Sequence, residues 1–148
     1  MKRVFKKATD NLFSAQIELQ PRVIKPEPLE GQYYMTTIGL SSPSFNYKFT
    51  LVMSNSLLRE TSSVLLFDDE PDDEAMRDLA LEVTNMIIGN AKVIIEGRSE
   101  ESLKLTIPQM EGKGNDVSGF ITSLGKDDLT MIFNQDKNIW FILSKIDI

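Results

Sequence analysis

Four residues of this chain stand at spacings that could do chemistry. Asp78, Glu82, Asn85 and Gly89 follow one another at intervals of four, three and four. On a helix these are stacked neighbours on one stripe: two carboxylates, an amide and a residue with no side chain, with Lys92 at the edge. Met76, Leu79, Ala80, Val83, Ile87, Ala91 and Ile94 fill a broad opposite face, so the stripe points away from a core. The rest of the chemistry is bounded by two zeros, no histidine and no cysteine. A cysteine nucleophile, a Ser-His-Asp triad, a redox pair and a His/Cys zinc site are all excluded. An enzyme made from this sequence works with carboxylates, amides, hydroxyls, Lys or Arg, or borrows groups from a partner. Asp, Glu, Asn and Lys also make up an ordinary solvated helix face. Gly89 fits that plain reading less well, because glycine inside a helix costs about 1 kcal/mol relative to alanine. Close approach of another surface is one reason to accept the cost, and slack near a helix end is the other.

The elements that must carry this stripe follow from periodicity. Val4, Phe5, Ala8 and Leu12, continued by Ala15, predict a first helix over residues 2–15. Pro21, Pro26 and Pro28 make 20–31 an extended connection or an edge strand. Tyr33–Leu40 is an uncharged, β-branched and aromatic stretch. Phe45, Tyr47, Phe49, Leu51 and Met53 then alternate strictly with their neighbours. Ser41-Ser42-Pro43-Ser44 turns the first of these strands into the second. A short helix capped by Ser54 or Ser56 should run to about Phe67. The long helix is expected over 71–95, with Pro71 in its first turn and Asp72, Asp73 and Glu74 at the end where the helix dipole favours anions. Leu103, Leu105 and Ile107 predict a strand ending at Pro108. A glycine-rich loop over Glu111–Asn115 and strands near 117–124, 129–133 and 139–143 complete the chain. Helix, strands, helices and strands joined by short turns make an α+β fold with a largely antiparallel sheet.

The 148 residues amount to one domain, 1–148. The net charge of −6 comes from one place, since Asp68, Asp69, Glu70, Asp72, Asp73 and Glu74 are six carboxylates within seven residues. Without them acids and bases balance, and no broad basic face points to nucleic acid. No window of apolar residues is long enough for a membrane span. The basic residues Lys2, Arg3, Lys6 and Lys7 precede an amphipathic pattern and not a signal-peptide core. The chain reads as cytoplasmic.

Asp78-x3-Glu82-x2-Asn85, with Pro108 downstream, resembles the signature of the CheC/CheX family of chemotaxis phosphatases. The segment from Glu82 through Gly89 to Lys92 is similar to the family's active-site stretch, and the order of elements fits along the whole chain. Some members carry two signature helices. Lys6-x3-Asp10-x2-Phe13 in the first helix supplies no second copy, so the chain is closest to the single-site CheX type. Its first turn carries serines and a proline where glycines are expected, which leaves the strand pairing there open.

The resemblance implies a CheC/CheX-like fold with the long signature helix packed on an antiparallel-rich sheet. It implies a phosphatase that removes the aspartyl phosphate of a CheY-type response regulator in two-component signalling. In that reading Asn85 orients the attacking water and Glu82 docks on the partner's active-site lysine. Asp78, Gly89 and Pro108 play supporting parts. No cofactor or metal is expected on this chain, while Mg²⁺ is expected on the regulator. A homodimer is expected by analogy with single-site relatives. The rival readings are a non-catalytic module of the CheC or flagellar-switch kind that binds a signalling protein, and a ligand-binding α+β domain with a merely solvated stripe.

Overall fold

A computed structural model describes residues 2–13, 23–24, 32–114, 131–136 and 139–147, with side chains for 3–13 and 32–114. Helix α1 spans Lys2–Phe13 and buries Val4, Phe5, Ala8, Leu12 and Phe13, as its periodicity requires. Ala15 lies outside the described residues. A two-residue strand β1, Val23–Ile24, falls within the proline-rich stretch. Strands β2 (Tyr33–Ser42) and β3 (Phe45–Ser54) form the hairpin, paired without interruption from Tyr33–Ser54 down to Ser42–Phe45. The loop is therefore only Pro43 and Ser44. Side chains replace the missing glycines: Ser42 Oγ accepts from the Ser44 N–H at 3.1 Å, and Ser44 Oγ donates to Glu101 at 2.7 Å.

Helix α2 (Asn55–Leu66) is capped by Ser54, whose hydroxyl accepts the Leu57 N–H, so Ser54 and not Ser56 is the cap. Helix α3 covers Asp73–Glu96. Pro71 is not in its first turn. Asp72 takes the cap position in an extended conformation and accepts the Ala75 N–H at 2.8 Å, which leaves Pro71 buried one residue before it. Asp73 and Glu74 do sit in the first turn.

The expected strand over Leu103–Ile107 is shorter than its alternation implied. Only Lys104–Leu105 (β4) is regular, and the glycine-rich stretch expected as a loop is instead a strand, β5 (Gln109–Gly114). Both lie along the same edge of β2. Leu105 pairs with Leu40, while Gln109 to Gly114 pair with Thr37 to Tyr33. Pro108 therefore does not close a strand; it stands in a break between two pieces of one edge, where its missing N–H is not called upon. Thr106 spans the break. Its N–H donates to the Gly39 carbonyl at 3.0 Å and its hydroxyl accepts the Gly39 N–H at 2.7 Å. A Cβ at Gly39 would meet the Thr106 methyl at 3.0 Å, so a side chain there would press on Thr106 and its two bonds to Gly39.

Strands β6 (Met131–Asp136) and β7 (Ile139–Asp147) complete the sheet, and the expected turn at 134–138 narrows accordingly. The expected strand at 117–124 lies outside the described residues. Among the described strands every pairing is antiparallel, in the order β1-β6-β7-β3-β2-β4 with β5 also on β2. The α+β, antiparallel architecture is as the sequence predicts. One core joins α1, β2, β3, α2 and α3, with α3 lying against β2 and α1 against α3. Phe5 of α1 and Phe49 of β3 meet with ring centroids 4.7 Å apart. Among the described residues no helix is long and apolar enough to cross a membrane.

Candidate functional site

The site is built on α3, and its precision begins on the buried side of that helix. Met76, Leu79, Ala80, Val83, Ile87, Ile88 and Ala91 are buried. So is Thr84, which the apolar pattern did not single out. Its hydroxyl donates to the Ala80 carbonyl at 2.8 Å and shares a 2.5 Å hydrogen bond with the Thr36 hydroxyl of β2. This polar tie fixes the helix's rotation and height on the sheet one residue before Asn85. The signal was present as two threonines within otherwise apolar surfaces, but only the fold brings them together.

Each end of α3 is also fastened. At its start, Asp73 accepts from Tyr34 at 2.7 Å, Lys113 at 3.0 Å and Arg77 at 2.9 Å, gathering β2 and β5 around the first turn. Those three donors hold the Asp73 carboxyl well below the usual carboxylate range, the Tyr34 bond first among them. Burial, and then the bond to Asp73, push the Tyr34 phenol up to about 12. At the far end, Glu96 accepts the Leu103 N–H at 3.0 Å and pairs with Lys92 at 3.1 Å. The backbone bond first, and Lys92 second, lower its carboxyl. Lys92 is thus engaged within its own helix. Between the ends, Asn11 of α1 donates to Asn90 at 3.0 Å.

Against this anchored back stands the open front. Asp78, Glu82 and Asn85 are exposed, and no hydrogen bond or ion pair joins them to another described residue. Gly89 is half-buried on the same stripe. A Cβ there would meet only Leu105 Cδ2, at 3.9 Å, an ordinary contact, so packing within the described chain does not require glycine. Pro108 is half-buried in the edge break beside Gly39 and Thr37. A cavity of about 240 Å³ near the start of α3 is lined by Gln32, Tyr33, Tyr34, Lys113 and Gly114 and includes none of the stripe residues.

The first helix presents no comparable arrangement. Phe13, where a second amide would stand, is buried in the core, and Lys6 is paired with Asp10 at 2.9 Å. Among the described residues no group of three or more Asp or Glu is disposed to hold a metal ion. An exposed carboxylate and amide, one turn apart on a helix tied to the rest of the fold, can reach into another protein's site and place a hydrogen bond there.

Comparisons with known proteins identify the family and the fold. The family model for the chemotaxis phosphatase CheX matches residues 34–119, more than half of the chain and the whole of α3. No curated protein sequence matches. Among solved structures, chemotaxis protein CheX from Vibrio vulnificus superposes with a TM-score of 0.73 at 16% identity, over 97% of this chain and 95% of that one. A CheC-like protein from Shewanella oneidensis gives 0.71 at 19%, over 97% and 96%. The CheX–CheY–BeF3–Mg²⁺ complex from Borrelia burgdorferi gives 0.67 at 18%, over 98% and 95%. The fold is the CheC/CheX fold, and the chain belongs to the CheX chemotaxis phosphatase family.

Proposed function

We propose that this chain hydrolyses the aspartyl phosphate of a CheY-type response regulator, with α3 laid against the regulator's active site. The observation that carries this is the pairing of an exposed Glu82 and Asn85, free of described partners, with a helix fixed behind them by the Thr36–Thr84 bond. Family membership supports the same reading, as does the complex that a structural relative makes with CheY.

An acyl phosphate is labile, and a regulator supplies its own electrophile and Mg²⁺. What it lacks is a well-placed water. The Asn85 carboxamide accepts from that water through its oxygen and donates through its nitrogen, fixing it for in-line attack as a glutamine does in small GTPases. Water oxygen bonds to phosphorus, the bond from phosphorus to the aspartate oxygen breaks, and inorganic phosphate leaves. Glu82, one turn earlier, meets the regulator's lysine and sets the register. Gly89 lets the regulator's backbone approach, and Asp78 and Pro108 lie at the margins of the contact. No general base with a pKa near 7 is needed, consistent with a chain that has no histidine. The reading treats residues 1–148 as a single cytoplasmic CheX-like unit that pairs as a homodimer.

Single-turnover decay of phosphorylated regulator tests the proposal. Asn85→Ala should slow decay about a hundredfold, the scale on which misplacing a reacting group acts, while affinity for the beryllofluoride-loaded regulator stays within threefold. Full activity in Asn85→Ala would refute the assignment. Binding without any turnover by the unaltered chain would favour the non-catalytic interaction module.

A further inference from the structure

Thr9, Thr61 and Thr84 are buried helical threonines, and each donates to the carbonyl four residues back. Thr84 is further bonded to another element, through the equally buried Thr36 hydroxyl of β2. A hydroxyl carries one proton. Thr84 gives its own to the Ala80 carbonyl, so Thr36 is the donor between the two hydroxyls. The bonds therefore run one way, from the sheet to Thr84 and from Thr84 into the backbone of α3. The donor is itself held in place. Thr36 lies inside the sheet, opposite Leu51 of β3 on one side and Met110 of β5 on the other.

This bond sits where it governs rotation. Asn85 follows Thr84 at about 100° around the helix, and Asn90 stands about 140° beyond Asn85 in the same sense. Asn90 accepts from Asn11 of α1. The arc that carries Asn85 and Gly89 is thus bracketed by one tie to the sheet and one to α1. The buried Met76, Leu79, Val83 and Ile87 hold α3 down, but apolar burial is non-directional, whereas a hydrogen bond prefers one distance and one angle. A side-chain tip stands about 5–6 Å from the axis of its helix, so a turn of about 10° carries it about 1 Å. For a group that must place a reacting water, that error can cost about a hundredfold in rate.

We infer that Thr36 is a positioning residue for hydrolysis: through Thr84 it sets the rotation of α3, and so the place where Asn85 holds the attacking water. The inference rests on the function proposed above, and it assigns part of the catalytic geometry to a buried strand residue behind the helix. Rate and binding respond differently to its loss. Glu82 meets a lysine on a long flexible stem, and a charge pair weakens gradually with distance, so docking tolerates a shift that in-line attack does not. Stability and rate part company as well. Thr36→Val keeps the shape, suits a strand and loses the bond, whereas Thr36→Ser keeps the bond and loses a buried methyl.

The test follows turnover of a phosphorylated CheY-type regulator by the full chain, beside affinity for the regulator loaded with beryllofluoride and Mg²⁺. Thr36→Val should lower kcat about tenfold, less than Asn85→Ala because the Asn11–Asn90 bond remains, with KM and affinity within about twofold. Thr36→Ser should return kcat to within about twofold of the unaltered chain, although its urea midpoint falls. Thr61→Val, which removes a buried hydroxyl bonded within α2, should leave kcat unchanged. In an Asn85→Ala background Thr36→Val should slow decay no further, because it acts through Asn85. Unchanged kcat in Thr36→Val, a matching loss in Thr61→Val, or an equal loss with and without Asn85 overturns the inference and leaves the proposed function standing. A fully active Asn85→Ala, or no turnover by the unaltered chain, discards the catalytic assignment and the inference with it.

Discussion

Gly89→Ala should make the protein more stable and less active, and the opposite signs of the two effects are what makes the variant informative. Replacing an interior helical glycine by alanine stabilises by about 0.8–1 kcal/mol through backbone entropy, provided the new methyl has room. It has room here: outside the helix's own backbone, the Cβ would meet among the described residues only Leu105 Cδ2, at 3.9 Å. For a chain of this length that gain corresponds to roughly 2–4 °C in Tm. On the docking side the same methyl stands one turn from Asn85, on the surface where the regulator's backbone is to lie. Lifting the partner by about 1 Å displaces the water that Asn85 orients, an error that can cost on the order of a hundredfold in rate. Urea and thermal unfolding measure the first effect, and single-turnover decay with a binding titration measures the second. A loss of stability would show that the space around Gly89 has been misjudged. A gain in stability with unchanged turnover and affinity would show that nothing docks there, and Gly89 would be only a slack position.

Three further outcomes follow from the geometry. Glu82→Lys should leave the unfolding free energy from urea titration within about 0.5 kcal/mol, as exposed helix substitutions do, yet raise KM steeply in a salt-dependent way, because a lysine would face the regulator's lysine; an unchanged KM would remove Glu82 from the contact. Thr84→Val should cost about 1–3 kcal/mol in urea unfolding, because the buried Thr36 hydroxyl loses its partner, whereas Thr84→Ser should recover most of it. Asp73→Asn should matter most above the ordinary carboxylate range. The folded pKa of Asp73 lies below its unfolded value, so its contribution is complete above about pH 5 and is lost as pH falls below about 4. The gap in urea midpoint between the two proteins should therefore narrow on acidification, and a gap that stays constant from pH 7 to pH 3 would contradict the assigned network.

Much of this was legible because it is local. Period two from Phe45 to Met53 and helical spacing across Met76–Ile94 are written into neighbouring residues, and the exposed stripe is simply the complement of the buried face. The same locality explains the misses. Alternation at Leu103, Leu105 and Ile107 reads as one strand, but only contact with β2 shows that Thr106 must turn to Gly39 and break the edge. Gly112 and Gly114 read as a loop, whereas β5 keeps them in register with Met35 and Tyr33, and a Cβ at Gly114 would stand 2.8 Å from the Tyr33 hydroxyl. Pro71 and Asp72 both suit a helix start. The carboxylate that can accept the Ala75 N–H takes the cap, and the proline is left outside.

The exposure of the stripe was the most legible part, and the reason lies in how the helix divides its work. Every polar group that fixes α3, from Asp73 and Thr84 to Asn90 and Glu96, is satisfied by another part of the fold, and finding those partners requires the structure. Asp78, Glu82 and Asn85 have no such partner among the described residues, so nothing about the fold obscures them. The two glycines beside the edge break mark the same division. At Gly39 a side chain would crowd Thr106 of the same chain, so a reason for glycine is found inside the protein. Gly89 has no comparable neighbour among the described residues, although it sits mid-helix where glycine is costly. The proposed docking supplies a reason of another kind for Gly89, a partner surface that comes close. On this helix that surface would also meet Asn85, one turn before Gly89.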